Sequence, residues 1–321
     1  EVEGSVQRDL RLHPFPPFGT VTWWWEIREA TGTVVATEPE SFRYTDNRFE
    51  WHLTSDGRIA LHTVVDSPPY VQTALEVTKT SLRRIESELQ ATPLEQVDLY
   101  LYPSTEDLRA ALEMAGRSWA GGQARPELGV ILVAIPDDNR ALSRMERDIP
   151  HELTHLVLYS VAGAEGYRHV PAWLDEGLAT ASELRPDPTL EVILDQAQAE
   201  GRLLPLTAIC PPFPTDQERA LLAYAQSASM VRTVQERYGN AGIRDLLAAY
   251  ADGAGCESGV ERGLGITAHQ LERTWRADLM GLSGWMAWLS DNAAPLLLWG
   301  IGLILALPMA AVFRRRSSRD S

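Results

Sequence analysis

The chain has 321 residues, of which 45% are hydrophobic and 23% charged. These proportions are typical of a folded globular protein with one large domain or two. The net charge of −15 argues against nucleic-acid binding, because phosphate recognition requires a basic surface. Positive charge is concentrated at the C-terminal end, in Arg314, Arg315, Arg316 and Arg319, so the remainder is more acidic still.

Residues 1–54 show short alternating runs of aromatic and polar residues that are typical of β-strands. The runs at 21–27 and 33–37 flank Ala30-Thr31-Gly32, which predicts a hairpin. Since about 50 residues is half of a normal sandwich domain, this β-rich segment is either part of a β-sandwich or a sheet that packs on its neighbour. We interpret the three consecutive tryptophans as core and interface residues rather than a ligand site.

From residue 58 to 280 the pattern predicts an α+β domain, with a small β-α-β-α-β layer followed by a helical half. Gly121-Gly122 is predicted to be a loop. The predicted strands cover 59–65, 97–102 and 129–135, and the predicted helices cover 70–91, 104–116, 148–162, 171–184, 188–201, 216–238, 240–251 and 267–280.

Residues 151–155 read His-Glu-Leu-Thr-His. Two histidines at i and i+4 lie one turn apart on the same helix face, so both imidazoles can reach one metal ion. Glu152 is placed to act as general base on a metal-bound water. Asp148 is a plausible N-cap and Pro150 suits a first turn, which predicts that this helix begins near residue 148.

A second motif, Pro-Ala-Trp-Leu-Asp-Glu-Gly-Leu-Ala at 171–179, follows downstream. Because a catalytic zinc takes three protein ligands and keeps one open position, Glu176 is the candidate third ligand beside His151 and His155. Asp175 or His169 could ligate instead. The alternative to a metal site is that the two histidines are surface residues and that Glu176 is an ordinary helix carboxylate.

The HELTH and PAWLDEGLA motifs together resemble those of gluzincin zinc peptidases, and the Pro-x-Trp-Leu-x-Glu-Gly form is similar to the peptidase MA-like domain family. The resemblance covers roughly residues 58–280 and implies a zincin-like fold. It also implies Zn²⁺ held by His151, His155 and Glu176, with Glu152 as the base. It further implies that the strand at 129–135 is the sheet edge that pairs with an extended peptide substrate.

Gluzincins also use a Tyr or His to stabilise the tetrahedral oxyanion. Tyr224 is our candidate for this catalytic role, with side-chain packing as the alternative. Thr180 lies one turn after Glu176, where some gluzincins have an acidic residue. This departure leaves open which groups support the ligands.

The two cysteines, Cys210 and Cys256, are either separate buried thiols or one disulfide closing a loop of about 46 residues. Both lie in Pro- or Gly-rich stretches rather than on apolar helix faces, which favours the disulfide. This interpretation requires a domain outside the cytosol.

Residues 295–313 contain no charged residue and would form a helix of about 28 Å, close to the thickness of a membrane core. We predict one transmembrane helix there, after a linker at 281–294. The positive-inside rule then places the basic tail, residues 314–321, in the cytoplasm and the catalytic domain outside the cell membrane.

The sequence therefore predicts a membrane-anchored zinc metallopeptidase that hydrolyses a peptide or protein substrate. A non-catalytic extracytoplasmic peptide-binding module on a zincin scaffold, or a zinc hydrolase acting on something other than peptides, are the alternatives. The natural substrate, endo- versus exopeptidase action and the oligomeric state stay open.

Overall fold

The computed structural model describes residues 4–9, 15, 18–112 and 121–281. It divides into two compact units, residues 1–267 and 268–321. The predicted transmembrane helix at 295–313 and the basic tail lie outside the described residues. Within the part of the chain that is described, no helix combines the length and apolar character needed to cross a membrane.

Two small antiparallel sheets form the N-terminal part. Strand β1 (Thr20–Trp23) pairs with β4 (Glu40–Arg43), and β2 (Glu26–Arg28) pairs with β3 (Val34–Ala36). The β2–β3 pair confirms the predicted hairpin. Its neighbours Trp23 and Trp24 are 40% and 52% exposed, so these two tryptophans do not lie in the core.

The main sheet has five strands in the order β5-β6-β7-β9-β8. The strands β6, β7 and β9 are parallel, whereas β5 and β8 pair antiparallel at the two edges. Their bounds are β5 (His52–Asp56), β6 (Ile59–Thr63), β7 (Val97–Tyr102), β8 (Gly122–Arg125) and β9 (Val130–Ala134).

The position of β8 corrects two predictions. The strand predicted at 129–135 is interior rather than at the edge, because β8 covers it. The segment around Gly122 is a strand rather than a loop. Glycine has low strand propensity, so local sequence does not reveal a strand that is held in place by pairing with β9.

The centre of the sheet is closed on both faces. Every residue of β7 and β9 is buried, as expected for interior parallel strands. One face carries an aromatic-rich core cluster, which consists of Phe18, Tyr100, Tyr102, Leu108, Val130, Leu132 and Ala134. This packing makes the sheet a rigid support for the edge strand and the helices beside it.

The rest of the first unit is helical, which confirms the α+β zincin-like fold class. Its helices are α1 (Pro68–Leu89), α2 (Thr105–Leu112), α3 (Ala141–Tyr167), α4 (Ala172–Ala181), α5 (Pro188–Ala199), α6 (Leu206–Ile209), α7 (Gln217–Ala251) and α8 (Cys256–Leu264). In the second unit, α9 spans Ala268–Leu279.

Two long helices are interrupted at glycines. In α3 the backbone breaks at Gly163 (φ 72°), and in α7 it breaks at Gly239 (φ 63°). A positive φ is accessible to glycine at little steric cost. The break in α7 falls between the two helices that were predicted at 216–238 and 240–251.

Cys210 and Cys256 form a disulfide across 46 positions of sequence, which confirms the predicted pairing. The bond joins the end of α6 to the start of α8. The carbonyl of Cys210 also accepts a hydrogen bond from the backbone N–H of Ala172 (2.9 Å). The start of α4 is thereby held close to the disulfide.

Candidate metal centre

The HELTH sequence lies in the middle of α3, not at its start. The helix begins at Ala141, so the predicted cap at Asp148 is wrong. Ala141, Met145 and Ile149 are buried at a spacing of four. This apolar stripe extends the helix upstream, since tertiary packing overrides the local preference of Asp and Pro for a helix start.

Pro150 inside α3 has a structural consequence beside the site. Because proline lacks an N–H, the carbonyl of Glu146 has no helical donor from residue 150. That carbonyl instead accepts from the backbone N–H groups of Leu184 (2.8 Å) and Arg185 (3.3 Å). The segment after α4 is therefore attached to α3 one turn before His151.

The structure brings the three predicted ligands together. His151 and His155 lie one turn apart on α3, with ring centroids 5.3 Å apart. Oε2 of Glu176, on α4, lies 3.4 Å from Nε2 of His151 and 3.8 Å from Nε2 of His155. One donor atom from each residue lies within 4.8 Å of the others.

This geometry fits a zinc ion. Zn–N and Zn–O bonds of about 2.0–2.1 Å in a tetrahedral arrangement place ligand atoms about 3.4 Å apart. Two imidazoles and one carboxylate are also a known ligand set for catalytic zinc. The residues present can therefore hold the metal that the sequence predicts.

Close packing of α4 against α7 positions Glu176. A Cβ at Gly177 would lie 2.8 Å from the backbone oxygen of Ser227 on α7, so glycine is needed where α4 approaches α7. Trp173, Leu174 and Leu178 are buried on either side of the glutamate. The residues of the Trp-Leu-x-Glu-Gly motif therefore form the contact between α4 and α7 that holds the Glu176 carboxylate beside the two histidines.

Each imidazole has its own carboxylate on the nitrogen that faces away from Glu176. Nδ1 of His151 lies 3.2 Å from Oε1 of Glu183, and Nδ1 of His155 lies 2.8 Å from Oδ1 of Asp175. The hydroxyl of Tyr167 donates to Asp175 (3.0 Å). With a proton on Nδ1, each Nε2 is left as a lone-pair donor for a metal.

The structure shows where the two alternative ligands that the sequence left open, Asp175 and His169, lie. Asp175 contacts Nδ1 of His155, and His169 is exposed outside the cluster. Sequence analysis missed Glu183 and Tyr167. Glu183 falls inside the helix predicted at 171–184, at i+7 from Glu176, so helical spacing could have placed it on the same face. In the structure α4 ends at Ala181, and the attachment of the following segment to the carbonyl of Glu146 brings Glu183 to His151.

The carboxylates raise the pKa of both imidazoles. Burial alone would lower these pKa values, but hydrogen bonds to Glu176 and Glu183 raise that of His151 well above its usual value. For His155, the charge and hydrogen bond of Asp175 outweigh burial and raise the pKa to about 9. Negative charge around the imidazoles that stabilises a proton also favours a cation at the same place.

Glu152 lies against the edge strand. It is 7% exposed, and burial raises its pKa above the usual range, although His151 and His155 oppose this effect. A Cβ at Gly122 of β8 would lie only 2.5 Å from Oε1 of Glu152. The absence of a side chain at Gly122 makes the room that Glu152 occupies.

Tyr224 on α7 lies beside His151. Its ring centroid is 6.3 Å from that of His151 and 5.0 Å from that of Phe213.

Thr180 is 4% exposed, and its hydroxyl has no hydrogen-bond partner among the described residues. Glu183, and not Thr180, is the residue that contacts Nδ1 of His151.

One open cavity of about 960 Å³ is lined by His151, Glu152, His155, Asp175, Glu176, Glu183 and Tyr224. Its walls come from β8, α3, α4, α5 and α7. The cavity is large enough for several residues of an extended peptide.

A family model described as the Peptidase MA superfamily matches residues 77–281. The chain belongs to the Peptidase MA superfamily. This assignment confirms the predicted resemblance and covers every residue of the candidate metal centre. No curated protein matches the chain.

Solved structures similar to this superfamily member include M1 zinc metallopeptidases. The enzyme from Deinococcus radiodurans is 16% identical with a TM-score of 0.42, over 81% of this chain and 60% of that one. A mutant of that enzyme bound to a Tyr-Ser-Ala substrate is 16% identical with a TM-score of 0.40, over 81% and 61% of the two chains. The present chain thus spans less than two thirds of these proteins.

Proposed function

We propose that this Peptidase MA member is a zinc metallopeptidase that hydrolyses peptide bonds. The observation that carries the proposal is the convergence of Nε2 of His151, Nε2 of His155 and Oε2 of Glu176 within 4.8 Å, beside Glu152 in a 960 Å³ cavity. A binding module would have no use for a buried carboxylate next to the ligand set.

The residues divide the reaction between them. A zinc ion held here would supply positive charge to the scissile carbonyl and lower the pKa of a coordinated water to about 7. Glu152 accepts the proton of the attacking water and passes it to the leaving amine. We assign to Tyr224, whose ring centroid lies 6.3 Å from that of His151, a hydrogen bond to the oxyanion that develops on the carbonyl.

The edge strand β8 supplies a place for the substrate backbone. The N–H of Ala134 donates to the carbonyl of Gly121 (2.8 Å). Because inward and outward groups alternate along an antiparallel pair, Gly122 and Ala124 direct their N–H and C=O groups away from β9. An extended peptide can pair with these groups.

A chelator-controlled assay tests the function. We expect the purified domain to cleave a mixed peptide library, and a zinc chelator to abolish the cleavage. Glu152→Gln should keep zinc and lose turnover, whereas Glu176→Ala should lose zinc, as measured by elemental analysis.

Two results would contradict the proposal. Full zinc content in Glu176→Ala would remove that residue from the ligand set. Peptides that bind but stay intact would favour a non-catalytic peptide-binding module on the same scaffold.

We also propose that the chain is anchored in the cell membrane by residues 295–313, with the catalytic unit outside and the tail in the cytoplasm. The uncharged run followed by arginines and the Cys210–Cys256 disulfide support this orientation. Protease added to intact cells should degrade the catalytic unit and spare a tag on the C-terminus. Protection of both would contradict the orientation.

A further inference from the structure

Arg125, the last residue of β8, lines the cavity and has few partners there. Its side chain is 27% exposed, and its Nη1 lies 3.9 Å from Oε1 of Glu127, which is beyond hydrogen-bonding distance. Its Nε is buried and has no hydrogen-bond partner among the described residues. Because a guanidinium carries five N–H donors and a poorly solvated charge needs a partner, this group has capacity for an anion.

The other described arginine that lines the cavity already has partners. Nε of Arg147 donates to Asp148 at 2.7 Å, and Nη1 of Arg147 lies 4.0 Å from Oδ2 of Asp187. Glu127, in contrast, is 50% exposed and lies outside the described lining of the cavity. Of these two arginines, Arg125 is therefore the one that a ligand can pair with.

The strand pairing places Arg125 on the opposite face of the sheet from Glu152. Gly122 pairs with Val133 and Arg125 pairs with Val130, and side chains alternate between faces along a strand. Gly122 faces Glu152, whereas Val130 belongs to the aromatic core cluster. Arg125 lies three positions along the strand from Gly122, which is roughly 10 Å.

The cavity reaches this second face as well. Leu112 of α2 packs against the aromatic core cluster and lines the cavity together with Gln123 and Arg125. The amide oxygen of Gln123, two residues before Arg125, is also buried without a hydrogen-bond partner among the described residues. An extended peptide that pairs with β8 directs alternate side chains to each face, so one of them lies across from Arg125.

Glu183 offers the opposite charge in the same cavity. One of its carboxylate oxygens has no hydrogen-bond partner among the described residues, and the other lies 3.2 Å from Nδ1 of His151. A cationic substrate group at this carboxylate would lie next to a proposed zinc ligand, where the charge of the metal repels it. The site at Arg125 has no such conflict.

We infer that Arg125 binds a carboxylate of the substrate and so directs cleavage to a peptide bond about three positions from that carboxylate. The inference rests on the proposed peptidase function and adds a substrate preference to it. Arginine binds a carboxylate through two parallel N–H···O bonds. A Glu or Asp side chain and the C-terminus of a peptide supply the same group.

A series of 12-residue peptides tests the preference. All are acetylated and amidated, and one Glu is moved through the positions on either side of a single cleavage site in a neutral sequence. We expect kcat/KM to be at least about tenfold higher with Glu than with Gln at one position, about three residues from the cleaved bond, because a hydrogen-bonded charge pair has effects of this size.

A second series identifies the source of the carboxylate. These peptides lack Glu and end in a free C-terminus at increasing distances from the cleavage site, and each has an amidated partner. Faster cleavage of the free acid at the same distance shows that Arg125 accepts a C-terminus. A response to Glu alone shows that it accepts side chains.

Substitutions assign the preference to Arg125. In Arg125→Gln the ratio of kcat/KM between the Glu and Gln peptides, or between free acid and amide, should fall to about one. Arg125→Lys keeps the charge but not the paired donors, so its ratio should be intermediate. The control is Arg262→Gln on α8, where the side chain is 51% exposed and lies outside the described lining of the cavity; it should keep the wild-type ratio.

The outcomes separate this inference from the proposed function. Chelator-sensitive cleavage with no preference for a carboxylate, with a preference for Lys, or with a preference that survives in Arg125→Gln would overturn the role of Arg125 and leave the peptidase function standing. If no peptide is cleaved, the peptidase function fails. The Kd values of the Glu and Gln peptides for Glu152→Gln then still test Arg125, and equal values would overturn its role.

Discussion

Gly122 leaves room for the Glu152 side chain because it has no side chain of its own. A Cβ there would lie 2.5 Å from Oε1 and 2.9 Å from Cγ of Glu152, so Glu152 would have to move. We expect Gly122→Ala to keep zinc and to lower kcat about 100-fold, because small displacements of a catalytic group have effects of that size. Steady-state kinetics and elemental analysis check this, and wild-type turnover would contradict it. Gly4→Ala, where an added Cβ would come no closer than 3.6 Å to the side chain of Trp25, is the control.

Oε1 of Glu183 lies 3.2 Å from Nδ1 of His151, the nitrogen that faces away from Glu176. We expect Glu183→Ala to weaken zinc binding 10- to 100-fold, the usual effect of removing a carboxylate behind a metal-binding histidine. Glu183→Gln keeps an acceptor and should fall between this variant and the wild type. Competition with a chromophoric chelator measures the affinity.

The control for Glu183 is Glu165→Gln, since the Glu165 side chain is 84% exposed. If the Glu183→Ala variant bound zinc as tightly as this control, the contact with Nδ1 of His151 would have no role in holding the metal.

Sequence spacing found the residues that contact the predicted metal position. His151, His155 and Glu152 follow from one helical turn, and Glu176 follows from a second motif. Glu183 shares the i+7 helix face of Glu176 in the predicted helix, but its contact with His151 depends on the bonds that attach the segment after α4 to the carbonyl of Glu146. Tyr167 could not be found from periodicity, because it follows the break at Gly163 in α3 and contacts Asp175 on another helix.

At the scale of elements, a partly buried ion pair joins the N-terminal strands to the main sheet. Asp98 on β7 accepts from Arg43 on β4 (2.9 Å) and lies 3.1 Å from Nε2 of His62 on β6, which stacks on Tyr100. Gln96 also donates to Asp98. Burial opposes ionisation of Asp98, but hydrogen bonds from His62 and Arg43 and their charge outweigh it and lower the pKa.

The lowered pKa predicts a pH dependence. A carboxylate whose pKa is depressed by folding stabilises the native state above its unfolded pKa, and this contribution is lost as pH falls through the folded pKa. We expect Asp98→Asn to cost about 2 kcal/mol of unfolding free energy at pH 7. The difference from wild type should shrink below pH 3.8, the ordinary value.

Urea unfolding at several pH values measures this difference. A gap between wild type and Asp98→Asn that stays constant from pH 7 to pH 3 would contradict a role for the ionised carboxylate.

At the scale of elements, the main difference between the prediction and the structure is the identity of the edge strand. The apolar run at 129–135 reads as a strand, but its neighbours depend on pairing between distant segments. The short strand β8 contains Gly122 and has no buried residue, so its sequence carries no strand pattern. Only the register with β9 shows which strand is the edge.

At the scale of the whole molecule, the proposed zinc ligands lie on α3 and α4 and are not part of the aromatic core cluster. Zinc bound only by the native state adds about 4 kcal/mol when its concentration is 1,000 times Kd. We expect a chelator to lower Tm by roughly 10 °C while the circular dichroism at 25 °C keeps its helical signal.

The aromatic core cluster on the sheet contains none of the proposed zinc ligands, which is the reason for this expectation. Loss of helical signal on chelation would show that the fold depends on the metal, and an unchanged Tm would show that the site binds none.

The sequence by itself determined the α+β class and the Peptidase MA membership, and it named the proposed zinc ligands and the proposed general base. These features are local: one helical turn sets the spacing of His151 and His155, and a short motif carries Glu176. Only the tertiary structure decided which strand is the edge, which carboxylates support the histidines and how the cavity extends past the metal position. Those features depend on contacts between residues far apart in the chain, and the free energy of packing that selects them leaves no regular spacing in the sequence.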